Sequence, residues 1–337
     1  MEKYDREMYS ILDLDYLNNF INKKISIDKK KDIEKYFEVQ EIFCKKKNKN
    51  CISVSLFAQN VNNISVSKDV PNFKDQQSNW YKKYYSQLIK FIENFNSSEF
   101  YQTFTIRIYL ENQLFLYKDD LLSKSDNIEI YYMKYNSIGA QPGTLWRFLT
   151  FDDKDYEIVF CSDVDVEFNY HLKNPLHTFM NKNKTMGRLL QYKNNYIIDK
   201  NNDNSAMNYE VCLASMIAIR TSKLDVNMKN IIVNYILYRN FRLKTTKPWE
   251  EFDDRNTSRF NKPVLIHDYG WGGIWTMYGF DEKLFKHTLF PYLIQKGEVL
   301  SWCKGDFNHL KNSVSSDNPF IIDLDLTLHF KNEIVSI

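Results

Sequence analysis

The chain has 337 residues, 43% apolar and 26% charged, enough to bury a large core in one big domain or two modest ones. Its 45 basic and 43 acidic side chains leave a net charge of +2, which argues against a dedicated nucleic-acid binder. No stretch approaches the ~20 apolar residues of a spanning helix, and Met1-Glu2-Lys3-Tyr4-Asp5 offers no apolar leader run.

Residues 1–48 read as a helical amino-terminal extension. Leu12, Leu14, Leu17, Phe20 and Ile21 fall at helical spacing, as do Ile33, Tyr36, Phe37 and the stretch 39–43. The Lys runs at 29–31 and 45–47 read as solvated faces, with peripheral contact to an anionic membrane surface as the alternative. A β-rich run follows at 51–58. Next comes an amphipathic helix whose stripe is Trp80, Tyr84, Leu88, Ile92 and Phe95. Strands are expected at 103–110, 128–133 and 156–162, with helical pieces at 114–122 and 143–151 between them. Strand alternating with helix is the pattern of a doubly wound α/β sheet. Later segments are a strand at 211–219, a helix at 226–241, a polar loop at 244–262 and a Gly-rich piece at 270–273. Neither a repeat nor a Pro/Gly/Ser linker divides 49–337, so these residues are expected to form one α/β domain.

The five cysteines, Cys44, Cys51, Cys161, Cys212 and Cys303, form no Cys-x-x-Cys pair. An odd, unpatterned set fits a reducing compartment. Cys51, Cys161 and Cys212 lie in or beside apolar runs and are expected to be buried.

Four Asp-x-Asp pairs occur, and context separates them. Asp13 and Asp15 lie in a helical pattern, where positions i and i+2 face apart. Asp153 and Asp155 occupy a polar turn. Asp323 and Asp325 alternate with Ile322, Leu324 and Leu326, as on a strand with one wet face. Only Asp163-Val164-Asp165 ends a buried central strand at the edge where α/β sheets bind ligands. Two carboxylates there suit one hard divalent cation, Mn²⁺ or Mg²⁺, facing a nucleotide diphosphate.

Phe160-Cys161-Ser162-Asp163-Val164-Asp165 resembles the metal-binding motif of GT-A glycosyltransferases. Gly143-Thr144-Leu145-Trp146-Arg147-Phe148-Leu149 resembles the preceding helix, whose Arg helps position the nucleotide sugar. Ile52-Ser53-Val54-Ser55-Leu56-Phe57 resembles the first strand, whose end meets the nucleoside and would place Phe57 and Ala58 beside the base. Tyr278-Gly279-Phe280-Asp281-Glu282-Lys283-Leu284-Phe285 resembles a segment of some bacterial and viral members in which the acidic pair faces the sugar or acceptor. The resemblance covers about residues 50–292. It implies a GT-A-type (Rossmann-like) mixed sheet flanked by helices, with a nucleotide-sugar half at 49–170 and an acceptor half at 171–337. It also implies transfer of a sugar from a nucleotide diphosphate, UDP-sugar first, to a glycan or glycoconjugate. The cysteine pattern and polar amino terminus add the expectation of a cytoplasmic location (host cytoplasm for a viral member). Tyr269-Gly270-Trp271-Gly272-Gly273 resembles the acceptor loop of β-1,4-galactosyltransferase-like enzymes. Ile274 and Trp275 follow it where those enzymes carry acids, so that subfamily is disfavoured.

An inverting transferase needs a carboxylate to deprotonate the acceptor hydroxyl, and Asp281 and Asp268 are the candidates. Asp281 also suits an N-cap or the first turn of a helix. His309, or His267, is a candidate third metal ligand. Two rival readings remain: a non-catalytic carbohydrate-binding protein, suggested by the aromatic content, and a metal-dependent nuclease. Methyl transfer is disfavoured because Phe57-Ala58-Gln59-Asn60 offers no Gly-rich loop.

Overall fold

A computed structural model describes residues 14–58, 75–137, 142–164, 170–191, 211–245, 280–304 and 333–336. Its amino-terminal segment supplies helices α1 (Leu14–Lys24) and α2 (Ile27–Glu34). α1 buries Leu14, Leu17 and Ile21, three and four residues apart. Ser26 caps α2 by accepting the Lys29 N–H at 3.5 Å. α1 and α2 pack on a later helix, α7 (Met228–Thr245). There the Phe20 ring meets Tyr238 and Phe241 edge-on, with centroids 5.1 Å apart in both pairs.

The helical reading of 1–48 fails at its carboxyl end. Val39–Cys44 is a strand, β1, paired antiparallel with β4 (Ile128–Met133) at one edge of the sheet. Val39, Ile42 and Phe43 are residues that a pleated surface favours, and a tight turn at Lys35–Phe37 stops the helix before them. Sheet pairing therefore overrides the helical spacing.

From there the expected alternation holds: β2 (Asn50–Leu56), α3 (Ser86–Ser97), β3 (Phe104–Leu110), α4 (Lys118–Lys124), β4, α5 (Gly143–Trp146) and β5 (Ile158–Cys161). The second half adds α6 (Tyr170–Met180), β6 (Met186–Gln191), β7 (Val211–Arg220), α7, α8 (Phe280–His287), α9 (Leu289–Gln295), β8 (Val299–Lys304) and β9 (Glu333–Ser336). Among the described residues the strands form one nine-stranded sheet in the order β1-β4-β3-β2-β5-β7-β6-β8-β9. Neighbours from β4 to β5 run parallel, whereas β7 runs antiparallel to both β5 and β6. This is a mixed α/β sheet flanked by helices, as the strand–helix alternation of the sequence predicts. No helix among the described residues is long and apolar enough to cross a membrane.

Alternation along the strands divides the core in two. Ile52, Val54 and Leu56 of β2, with Ile158 and Phe160 of β5, join Leu88, Phe91, Ile92 and Phe95 of α3 on one face. Cys51, Val159 and Cys161 join Trp146, Phe148 and the buried residues of α7 and α8 on the other. The period of two in a strand produces this division. Ser53 and Ser55 interrupt the second set, and they matter below.

Charges are also buried inside the sheet. Arg107 of β3 is 2% exposed and donates to Glu129 of β4 and to Asp153, each at 2.5 Å. The Tyr156 hydroxyl donates to the same Glu129 oxygen at 2.5 Å, and the guanidinium carbon lies 4.0 Å from the Tyr131 ring centre. Asp153, read from sequence as a solvated turn acid, is thus a structural partner. Burial opposes its charge, but the Arg107 hydrogen bond prevails and holds its carboxyl below the ordinary range. The folded-state pKa is depressed, so this stabilisation is present above the unfolded value and is lost as pH falls through the folded one. Asp153→Asn should therefore flatten the rise of the urea midpoint with pH below about pH 4. An unchanged slope would remove Asp153 from that acid dependence.

Candidate functional site

The strand order reverses between β2 and β5, which makes their carboxyl ends the crevice of a doubly wound sheet. Phe57 and Ala58 follow β2, and Ser162, Asp163 and Val164 follow β5. The segment from α5 through the tight helical turn Arg147–Asp152 lies across these strands. Ser55 Oγ accepts the Arg147 N–H at 3.0 Å, and Ser53 Oγ donates to the Arg147 carbonyl at 2.8 Å. Ser53 Oγ also meets Thr150 Oγ1 at 2.8 Å, which in turn lies 3.0 Å from the Tyr109 hydroxyl. Two serines on one face of β2 thereby clamp the backbone that carries Arg147.

The Arg147 side chain is 5% exposed. One terminal nitrogen donates to Asp163 Oδ1 and, at 3.2 Å, to the Ser162 carbonyl; the other donates to Asp281 Oδ2 at 3.0 Å. Burial works against its charge, yet the nearby Asp163 and Asp281 carboxylates hold its pKa above the ordinary value. Asp281 lies in the first turn of α8, as the sequence allowed. Phe285 of that helix packs edge-on against Phe148 at 4.7 Å, and Phe280 lies 5.3 Å from Tyr235 of α7. Asp152 ties α7 to the same segment by accepting the Met228 and Lys229 N–H groups at 2.6 and 2.9 Å. The structure thus joins three predicted residues, Arg147, Asp163 and Asp281, around one guanidinium.

Phe57 and Ala58 stand on the β2 side of the crevice. The Phe57 carbonyl accepts Trp80 Nε1–H at 3.0 Å, and its ring lies edge-on to Trp146 at 6.4 Å. Gly143 is required by close approach: a Cβ there would come within 2.3–2.6 Å of three Phe57 ring carbons. Gly143→Ala should therefore displace Phe57 and cost about 1–3 kcal/mol of stability. The check is a denaturation midpoint together with the apparent affinity for a nucleotide; an unshifted midpoint would show that the ring yields freely.

Asp165, Asp268 and His309 lie outside the described residues, as do His267, Asp323 and Asp325. Among the described residues no group of three or more His, Cys, Asp or Glu gathers as a metal site. Asp163 is nonetheless the hard oxygen donor that Mg²⁺ or Mn²⁺ takes, and its side chain is 38% exposed.

Glu111, directly after β3, stands at the same edge and was not singled out from the sequence. It is fully buried and accepts the Ala58 N–H at 2.5 Å. An acid after a predicted strand, at the same edge as Phe57 and Asp163, was the available signal.

No protein-family profile matches the chain, and no curated protein matches it. Similar solved structures include 4-diphosphocytidyl-2C-methyl-D-erythritol synthase from Anaerococcus prevotii. It is 15% identical, with 64% of this chain and 83% of that one covered, at a TM-score of 0.33. Another is S. aureus TarS 1–349, 12% identical, with 56% and 55% covered, at 0.31. The fold and the chemistry rest on the residues themselves.

Proposed function

We propose that the protein is a metal-dependent glycosyltransferase that moves a hexose-type sugar from a nucleotide diphosphate, UDP-sugar first, to a glycan or glycoconjugate acceptor. The observation that supports this best is the Arg147 bridge at the switch-point crevice. One buried cation there connects the acid after β5 with the first acid of α8. In this reading Asp163 and Asp165 hold Mn²⁺ or Mg²⁺, with His309 as a third ligand. The bound cation supplies charge neutralisation for the diphosphate leaving group. Arg147 orients Asp163 toward that place and adds positive charge to it. Phe57 and Ala58 flank the base. Asp281, oriented by Arg147, or Asp268 takes the proton of the acceptor hydroxyl.

The test is a panel of UDP-, GDP- and CDP-sugars incubated with the protein and Mn²⁺, reading nucleoside diphosphate release and binding. At least one donor should be bound and slowly hydrolysed, and the Asp163→Asn, Asp165→Asn double variant should lose that activity. Nuclease or methyl-transfer activity without response to any sugar nucleotide would sink the reading.

A further inference from the structure

β3 ends at Leu110, so Glu111 stands at the ligand edge of the sheet, one strand away from β2. Its main chain is fixed there: the Glu111 N–H donates to the Leu56 carbonyl at 3.1 Å, and the Leu114 N–H donates to the Glu111 carbonyl at 2.9 Å. The carboxylate is fully buried, and its partners are three N–H groups rather than a cation. Oε2 accepts from Ala58 N–H at 2.5 Å and from Gln113 Nε2 at 3.0 Å, while Oε1 accepts from Ser137 N–H. Burial pushes its pKa up, and these hydrogen bonds pull the other way.

Those donors belong to different segments. Ala58 follows β2, and Ser137 follows β4. Ser137 Oγ in turn accepts the N–H of Gly143, the first residue of α5, at 3.0 Å. A single carboxylate therefore ties together both loops on the nucleotide side and, through Ser137, the helix that leads to Arg147. Both of its oxygens must be acceptors, because each faces a backbone N–H. A Gln at this position has one acceptor oxygen and one NH₂ donor, so one of the two loops would be released.

Building on the nucleotide-sugar reading, we propose that Glu111 is a positioning residue for nucleotide binding: its carboxylate tethers the backbones after β2 and β4 and so fixes Phe57 and Ala58 against α5. Glu111 acts through the Ala58 and Ser137 amides rather than by touching the ligand.

The experiment combines amide hydrogen exchange at Ala58 and Ser137 with calorimetric titration of UDP, GDP, CDP and ADP in Mn²⁺. It uses the wild-type chain, Glu111→Gln and Gln113→Met. Glu111→Gln should speed exchange at one or both amides, leave the interior of β2 protected, and weaken nucleotide binding on the order of tenfold. In turnover this should read as a raised KM at nearly unchanged kcat, the signature of lost uniform binding. Gln113→Met removes only the side-chain donor. It should move both readouts in the same direction by a smaller factor, which covers the case in which Glu111→Gln does not fold. Unchanged amide protection, or equal nucleotide affinity in wild type and variants, would overturn the role of Glu111 while leaving the transferase reading in place. A wild-type chain that binds none of the four nucleotides would overturn both.

Discussion

Arg147→Ala should lower sugar-nucleotide turnover by at least about 100-fold, since it removes charge-assisted hydrogen bonds to Asp163, Asp281 and the Ser162 carbonyl, of which even two at about 1.5 kcal/mol each exceed that factor. The local backbone should persist, because Ser53 and Ser55 hold the main chain of Arg147 and not its side chain. Two carboxylates lose their shared cation, however, and Asp281 is only 13% exposed. Stability therefore falls as well, and a loss of activity alone would be ambiguous. The Arg147→Ala, Asp281→Asn double variant separates the two effects. It should regain much of the stability and little of the turnover. Arg147→Lys should behave nearly as badly as Ala, because one ammonium cannot reproduce the fork that spans both acids. Wild-type turnover in Arg147→Lys would show that the bridge is unimportant to the reaction.

The second large effect concerns folding. Arg107→Met should cost about 3–5 kcal/mol, because it leaves Glu129 buried beside Tyr156 without its cation. The double variant Arg107→Met, Glu129→Met should cost less than the single one, since Glu129 is then not left buried without its cation and Asp153 keeps Lys47 at 3.3 Å. Urea midpoints of the two variants decide the matter. Equal losses would mean that the packing of the Arg107 stem, over Tyr131 and Tyr156, matters more than its charge.

Much of the fold was legible because its central strands are buried on both faces. Segments such as Ile52-Ser53-Val54-Ser55-Leu56 and Ile158-Val159-Phe160-Cys161 read as apolar runs bounded by polar turns, and strand β2 and strand β5 lie where those runs predict. β1 was not legible. As a half-exposed edge strand it carries only a weak pattern, and its partner β4 lies some ninety residues further along the chain. Within the site, Asp163, Arg147 and Asp281 were each singled out, but their common contact was not. Arg147 and Asp281 are 134 residues apart, and no local periodicity encodes such a meeting. Arg107, Glu129 and Asp153 were missed for the same reason: each charge looks solvated until the sheet brings its partner alongside. Glu111 was overlooked because its one signal, a place directly after a predicted strand, comes without any neighbour pattern to reinforce it.

The residues that shape the Arg147 side of the crevice share one numerical property. Cys51, Ser53 and Ser55 on β2, and Cys161 and Asp163 at the end of β5, are all odd-numbered. The even-numbered Ile52, Val54, Leu56, Ile158 and Phe160 belong to the opposite layer. The site is thus written in the phase of two strands as much as in the identity of its residues. Deleting one residue from β5 would exchange its faces, turning Asp163 toward the α3 layer and Phe160 toward Arg147. Deleting two would shorten the strand but restore the phase. A change of one residue along this segment would therefore require both layers to be rebuilt at once, and a deletion of two, though it restores the phase, would leave only half of a four-residue strand.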